Sequence, residues 1–112
     1  MEIIHAPQAA DGPNPHGVSA KPLHTTEHTQ VSMITLQPGE ALKLHVTPVD
    51  AFFYVLEGHG VVEIAGERAD VGPDDLIVSP VRVPHRLMNE GNEVFRFLVV
   101  KTPAQKDKTK IL

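Results

Sequence analysis

Residues 38–60 read PGEALKLHVTPVDAFFYVLEGHG, and this stretch decides the fold. It opens on a Pro-Gly turn, in which proline fixes φ and glycine supplies φ > 0. A short apolar strand carrying His45 follows, then a Thr-Pro-Val-Asp break, then the most apolar strand of the chain, residues 51–56. Gly58, His59 and Gly60 make a hairpin turn, and residues 61–64 return from it. Two strands with a kink between them and a histidine at the bend describe the wall of a small barrel.

Working outward, residues 29–36 (TQVSMITL) set Val31 and Met33 on one face and Ile34 and Leu36 on the other. With β-branched residues between, they predict a strand. Residues 1–20 read as an arm, because AADGPNPHG is too rich in turn residues for a regular element. Downstream, residues 65–67 turn, 68–71 form a short strand, 72–75 turn again and 76–78 are an apolar run. Pro80 and Pro84 bracket VRV, which is extended without being a central strand throughout. Residues 85–88 lead into a turn at 89–92, and EVFRFLVVK, 93–101, is the last clear strand. The tail, TPAQKDKTKIL, has no apolar face and is expected to be mobile or packed on a neighbour. The division is an arm at 1–20, a barrel domain at 21–103 and a tail at 104–112.

No segment holds a helical period, and eight or nine strand-like pieces recur along the chain. That pattern predicts an all-β fold with little or no helix, an antiparallel sandwich or barrel of the jelly-roll kind. The 112 residues allow one domain and one core. Ten prolines and eight glycines punctuate the chain into short pieces. A net charge of −4 with no basic stripe argues against a nucleic-acid partner. The absence of cysteine excludes disulfides, thiolate metal sites and cysteine nucleophiles. No apolar run approaches the roughly 20 residues that span a bilayer, so no membrane association is expected. The first residues, MEIIHAPQAADG, lack the basic and apolar regions of a signal peptide, so a cytoplasmic location is expected.

The spacing of residues 39–58 resembles the first motif of the cupins, small jelly-roll barrels: G-x5-H-x-H-x3-E-x6-G. Gly39, His45, Thr47, Ala51 and Gly58 fall on its positions. The glycines and first histidine match, while Thr47 replaces the second histidine and Ala51 the glutamate. The second motif, G-x5-P-x-G-x2-H-x3-N, falls on Asp74, Pro80, Arg82, His85 and Asn89. Its proline, histidine and asparagine match and its glycines do not. Residues 59–73 separate the motifs, and the resemblance spans about residues 28–101.

In metal-binding cupins, the resemblance implies, the two histidines and the glutamate of the first motif and the histidine of the second point into the barrel. Such a set suits Mn, Fe, Ni, Cu or Zn. Here His45 and His85 remain as metal candidates, with Asp50, His24 and His28 as weaker ones. Alternation turns Asp50 away from Ala51 unless a bulge after Pro48 reverses it. His5, His16 and His59 read as solvated arm and hairpin residues. The expected ligand pocket is His45, Thr47, Ala51, Phe53 and His85.

Three readings of the histidine pair stay open. They hold a divalent transition metal, they line a metal-free pocket for a small organic ligand, or they are core histidines satisfied by backbone. The metal-bearing reading corresponds to a dioxygenase, isomerase or epimerase acting on a small organic acid or sugar. The metal-free reading corresponds to a binding module with no assigned reaction. Arg82, Arg86 and Lys43 are candidates to collect an anion at the barrel mouth. Tyr54, Phe52 and Leu56 should form an outer apolar stripe, which predicts a homodimer face.

Overall fold

The computed structural model describes all of residues 1–112. Ten strands form two sheets in which every pairing is antiparallel, and the only helical piece is a 3-10 turn at Ala6–Gln8. The strands are β1 (Ser19–Thr25), β2 (Gln30–Leu36), β3 (His45–Val46), β4 (Asp50–Glu57), β5 (Gly60–Ile64), β6 (Glu67–Val71), β7 (Leu76–Ser79), β8 (His85–Met88), β9 (Phe95–Thr102) and β10 (Lys110–Ile111). One sheet runs β1-β2-β9-β4-β7 and the other β10-β3-β8-β5-β6. The all-β jelly roll is the architecture that the turn spacing predicts.

Register arranges the inward side chains of the first sheet in rows. Gln30, Lys101, Ala51 and Ser79 make one row, and Ser32, Val99, Phe53 and Ile77 the next. Ile34, Phe97 and Val55 make the third, and Leu36 and Phe95 the last. The interior therefore grades from polar at one end to wholly apolar at the other. Phe53, Phe95 and Phe97 are fully buried, each contributing about 1.5–3 kcal/mol by removal from water. The apolar end is filled by these rings, so open space is left at the polar end.

Two glycine positions hold the wall in place. At Gly58, φ is +79° and an added Cβ would lie 2.0 Å from the Val94 carbonyl oxygen, so only glycine fits. Ala65 and Gly66 both take positive φ, 53° and 80°, in a two-residue loop whose twist matches the β5–β6 hairpin.

Three pieces differ from the sequence expectation. β1 lies in a segment whose pattern Pro22 interrupts; the strand tolerates it because β1 is an edge and its register shifts between Pro22 and His24. Of the short apolar strand expected to carry His45, only His45 and Val46 are regular; Leu42 is tied to β8 by its N–H to the Leu87 carbonyl at 2.9 Å. The tail is not left outside the sheets: Lys110 and Ile111 pair with Val46 and His45. No helix is long and apolar enough to cross a membrane.

Candidate functional site

His45 and His85 are directly paired residues on β3 and β8. Cross-strand neighbours have Cβ atoms about 4.5–5.5 Å apart, so their rings must meet on the inner face. The ring centroids are 4.4 Å apart and the two Nε2 atoms 3.0 Å apart. Thr47, two residues past His45, places Oγ1 3.0 Å from His85 Nε2. Ala51 and Phe53 face them from β4, and the Phe53 ring stands edge-on to His85 at 5.3 Å. All five are buried, with His85 only 2% exposed.

A third histidine joins them. His16 lies in the arm, with its ring centroid 4.6 Å from that of His45. Asn14 positions it: the Asn14 Oδ1 accepts the backbone N–H groups of His16 and Gly17, each at 3.0 Å, and its Nδ2 donates to the Val18 carbonyl at 2.8 Å. This is an Asx turn, the signal in Asn-Pro-His-Gly that marks an ordered arm. The reading of His16 as a solvated histidine is therefore corrected.

The ring nitrogens form one chain of hydrogen bonds whose direction can be assigned. The Lys43 carbonyl can only accept, so His45 Nδ1, 2.7 Å away, carries the proton. Neutral His45 then accepts at Nε2 from His85 Nε2–H, which also faces Thr47 Oγ1. His85 Nδ1 in turn accepts from the Ser79 hydroxyl at 2.5 Å. On the other side, Lys43 N–H donates to His16 Nδ1 at 3.0 Å, which leaves the His16 proton on Nε2. Burial favours these neutral forms. It pushes His85 down from 6.5 to about 3, helped by His45, Lys101 and His16, and His16 to about 4, helped by His45, Lys43 and Lys101. His45 is lowered by burial too, against the opposing pull of the Lys43 carbonyl.

A cavity of about 190 Å³ opens beside this chain. Ile34, Leu42, Phe53 and Val99 supply its apolar wall, and Gln30, Ser32 and Thr109 add polar groups. Its one cation is Lys101, and no aspartate or glutamate lines it. Lys101 follows Phe95, Phe97 and Val99 on the inward face of β9, an alternation visible in the sequence. Burial lowers its ammonium pKa.

The other candidates lie elsewhere. His24 is exposed on β1, and exposed His28 pairs with Glu27 at 3.0 Å. Asp50 is exposed and accepts the Val81 N–H at 2.9 Å, on the face opposite Ala51. Arg86 pairs with Glu63, and Arg82 and Lys43 are exposed, so none of the three supplies the pocket cation. Asn89 is buried and bridges the Leu36 and Glu93 carbonyls while accepting the Gly91 N–H, tying its turn to β2.

The donor set decides whether a divalent metal fits. His45 and His85 offer two Nε2 atoms, Thr47 a neutral hydroxyl and Ala51 nothing, while Lys101 brings positive charge. His16 turns Nδ1 to a backbone N–H, which leaves the proton on its Nε2. No group of three or more His, Cys, Asp or Glu side chains is placed to hold a metal. The residues do not fit a resident divalent ion.

The family model for the cupin domain matches residues 32–101. The chain is a cupin. Among solved structures, this cupin is similar to TT1209 from Thermus thermophilus, with 33% identity, a TM-score of 0.80, and coverage of 92% of this chain and 98% of that one. It shares its fold with the polyketide cyclase RemF from Streptomyces resistomycificus, at 20% identity and a TM-score of 0.86, covering 100% of this cupin and 85% of RemF. It is also 30% identical over 74 residues to the polyketide synthase CurC of Streptomyces cyaneus, covering 65% of this cupin and 48% of CurC. This cupin spans about half the length of the curated relatives it matches, from 43% to 48%.

Proposed function

We propose that this cupin binds a small organic ligand inside its barrel, between the His45–His85 pair and Phe53, without a resident metal. The observation that carries the reading is the neutral hydrogen-bond chain from Ser79 through His85 and His45 to the Lys43 backbone. It satisfies both imidazoles within the protein and leaves an apolar-walled cavity with a few polar groups, the usual composition of a small-molecule site. A cavity of about 190 Å³ suits one ring or a short chain, since an engineered cavity of about 150 Å³ accommodates benzene. The metal-dependent dioxygenase, isomerase or epimerase would have to work from imidazoles and a neutral hydroxyl, beside a lysine and with no carboxylate.

A second reading has support in the same pair. Two similar proteins are a polyketide synthase and a polyketide cyclase by name. Two neutral imidazoles 3.0 Å apart can pass a proton between them. In this reading the pocket performs acid–base chemistry on a small carbonyl compound, with His45 or His85 exchanging the proton.

The partner at the outer surface is proposed to be a second copy. β7 is an unpaired sheet edge carrying Leu76 and Val78, 55% and 68% exposed, beside Tyr54 and Phe52 on β4. An apolar edge strand can pair with its own copy about a two-fold axis.

The test uses protein made without a histidine tag. After loading with excess Mn, Fe, Ni and Zn and dialysis, metal content is expected to stay well below one per chain. The melting temperature is expected to rise with members of a set of single-ring and short-chain acids, amides and alcohols, and to stop responding in His85→Ala. One firmly held metal per chain, or a His85→Ala variant that responds like the parent, overturns the proposal.

A further inference from the structure

Lys101 is a half-buried cation that lines the cavity without a counter-ion. It takes part in none of the salt bridges of the molecule. Its one side-chain partner is the neutral Gln105 Oε1, at 2.6 Å. An ammonium has three donors, so two remain. A charge partly removed from water with no opposite charge beside it is costly, the more so where it faces a cavity lined by apolar groups.

The place of Lys101 in the sheet sharpens this. Its inward-facing row neighbours are Gln30 and Ala51. Ala51 is the position where the first motif calls for glutamate. The small side chain at 51 leaves room for the lysine stem, and the interior that the motif would make acidic has become basic. No carboxylate lines the cavity, although the chain carries 14 acidic residues and a net charge of −4.

The remaining free polar hydrogens point to the same ligand chemistry. His16 holds its proton on Nε2, which has no protein partner, because Nδ1 accepts from Lys43 N–H. Thr47 Oγ1 faces a protonated His85 Nε2, which cannot accept, so the hydroxyl hydrogen is available. A cavity offering a cation and spare donors is matched by a ligand rich in acceptors.

We propose that the ligand of this pocket is a small carboxylate, with a body no larger than one ring, and that Lys101 holds its negative charge. The inference rests on the small-molecule reading above and names its ligand class. The carboxylate completes the lysine's missing ion pair, and the apolar body packs on Phe53 and Val99. Charge-assisted hydrogen bonds of this kind are about twice as strong as neutral ones, which is what separates an acid from its amide.

The experiment compares benzoate with its neutral isostere benzamide by calorimetry and thermal shift, in EDTA so that no adventitious metal holds the acid. Wild-type protein is expected to bind benzoate at least tenfold more tightly than benzamide. Lys101→Met is expected to lose that preference and bind the two alike. Equal binding of acid and amide by wild type overturns the inference while leaving the pocket reading intact. An acid preference that survives in Lys101→Met overturns the role of Lys101. Binding of neither probe, nor of shorter acids such as isobutyrate, overturns the inference and the pocket reading together. The wild-type comparison does not depend on the variant folding.

Discussion

Lowering the pH from 7.5 to 5 should destabilise this protein before its carboxylates begin to titrate. His85 is buried and neutral in the fold, with its pKa pushed from 6.5 to about 3. As pH falls below 6.5 the unfolded chain takes up a proton at this position and the folded chain does not. The folded state is thus fully favoured above about pH 6.5 and loses stability progressively down to about pH 3. At about 1.4 kcal/mol per pH unit, the loss from His85 at pH 5 is about 2 kcal/mol. His16, lowered to about 4, acts in the same direction but is only half-buried, so solvent screening reduces its share to about 1 kcal/mol. The combined loss of about 3 kcal/mol is large beside the 5–15 kcal/mol typical of a folded domain.

Urea unfolding at pH 7.5, 6 and 5, in EDTA, measures this directly as a falling midpoint at constant slope. His85→Gln cannot titrate and keeps an N–H to offer His45 and Thr47, so it should remove about 2 kcal/mol of the pH dependence. A midpoint that holds steady or rises between pH 7.5 and 5 would refute the neutral buried chain. So would a His85→Gln variant with the full wild-type slope.

Other outcomes follow from single contacts. Lys101→Met, which removes a half-buried ammonium without a counter-ion, should raise unliganded stability by about 1 kcal/mol in urea unfolding at pH 7.5; a loss would mean that the ammonium and its hydrogen bond to Gln105 hold the fold together. Gly58→Ala meets both the Val94 carbonyl and a φ of +79°, and should cost about 3 kcal/mol or more by thermal unfolding. A wild-type melting temperature would show that the β4–β5 turn relaxes freely. Light scattering should give wild-type protein twice the chain mass, and Val78→Lys, on the exposed β7 edge, the mass of one chain. Equal masses for the two would remove β7 from the interface.

Much of the barrel was legible because its signals are local. Turn residues at 38–39, 58–60, 65–66 and 72–75 punctuate strands whose alternation shows which side chains face in. The pairing of His45 with His85 followed from two motif matches. The alternation of β9 also carried Lys101 inward, although residues nearer the motif histidines, Arg82, Arg86 and Lys43, were the expected cations. β1 was obscured because Pro22 breaks the strand pattern, a break that only an edge position excuses.

The sequence by itself determined the jelly roll, the inward face of β4, and the loss of two motif ligands at Thr47 and Ala51. Those are matters of period and spacing, which act over a few residues. Only the tertiary structure decided that His16 reaches the pocket from the arm, that β10 returns to pair with His45 and Val46, and that Lys101 is left without a counter-ion. Each of these depends on residues far apart in the chain being brought within a few ångströms. No local pattern encodes that proximity, because it is set by the closing of two sheets over one cavity.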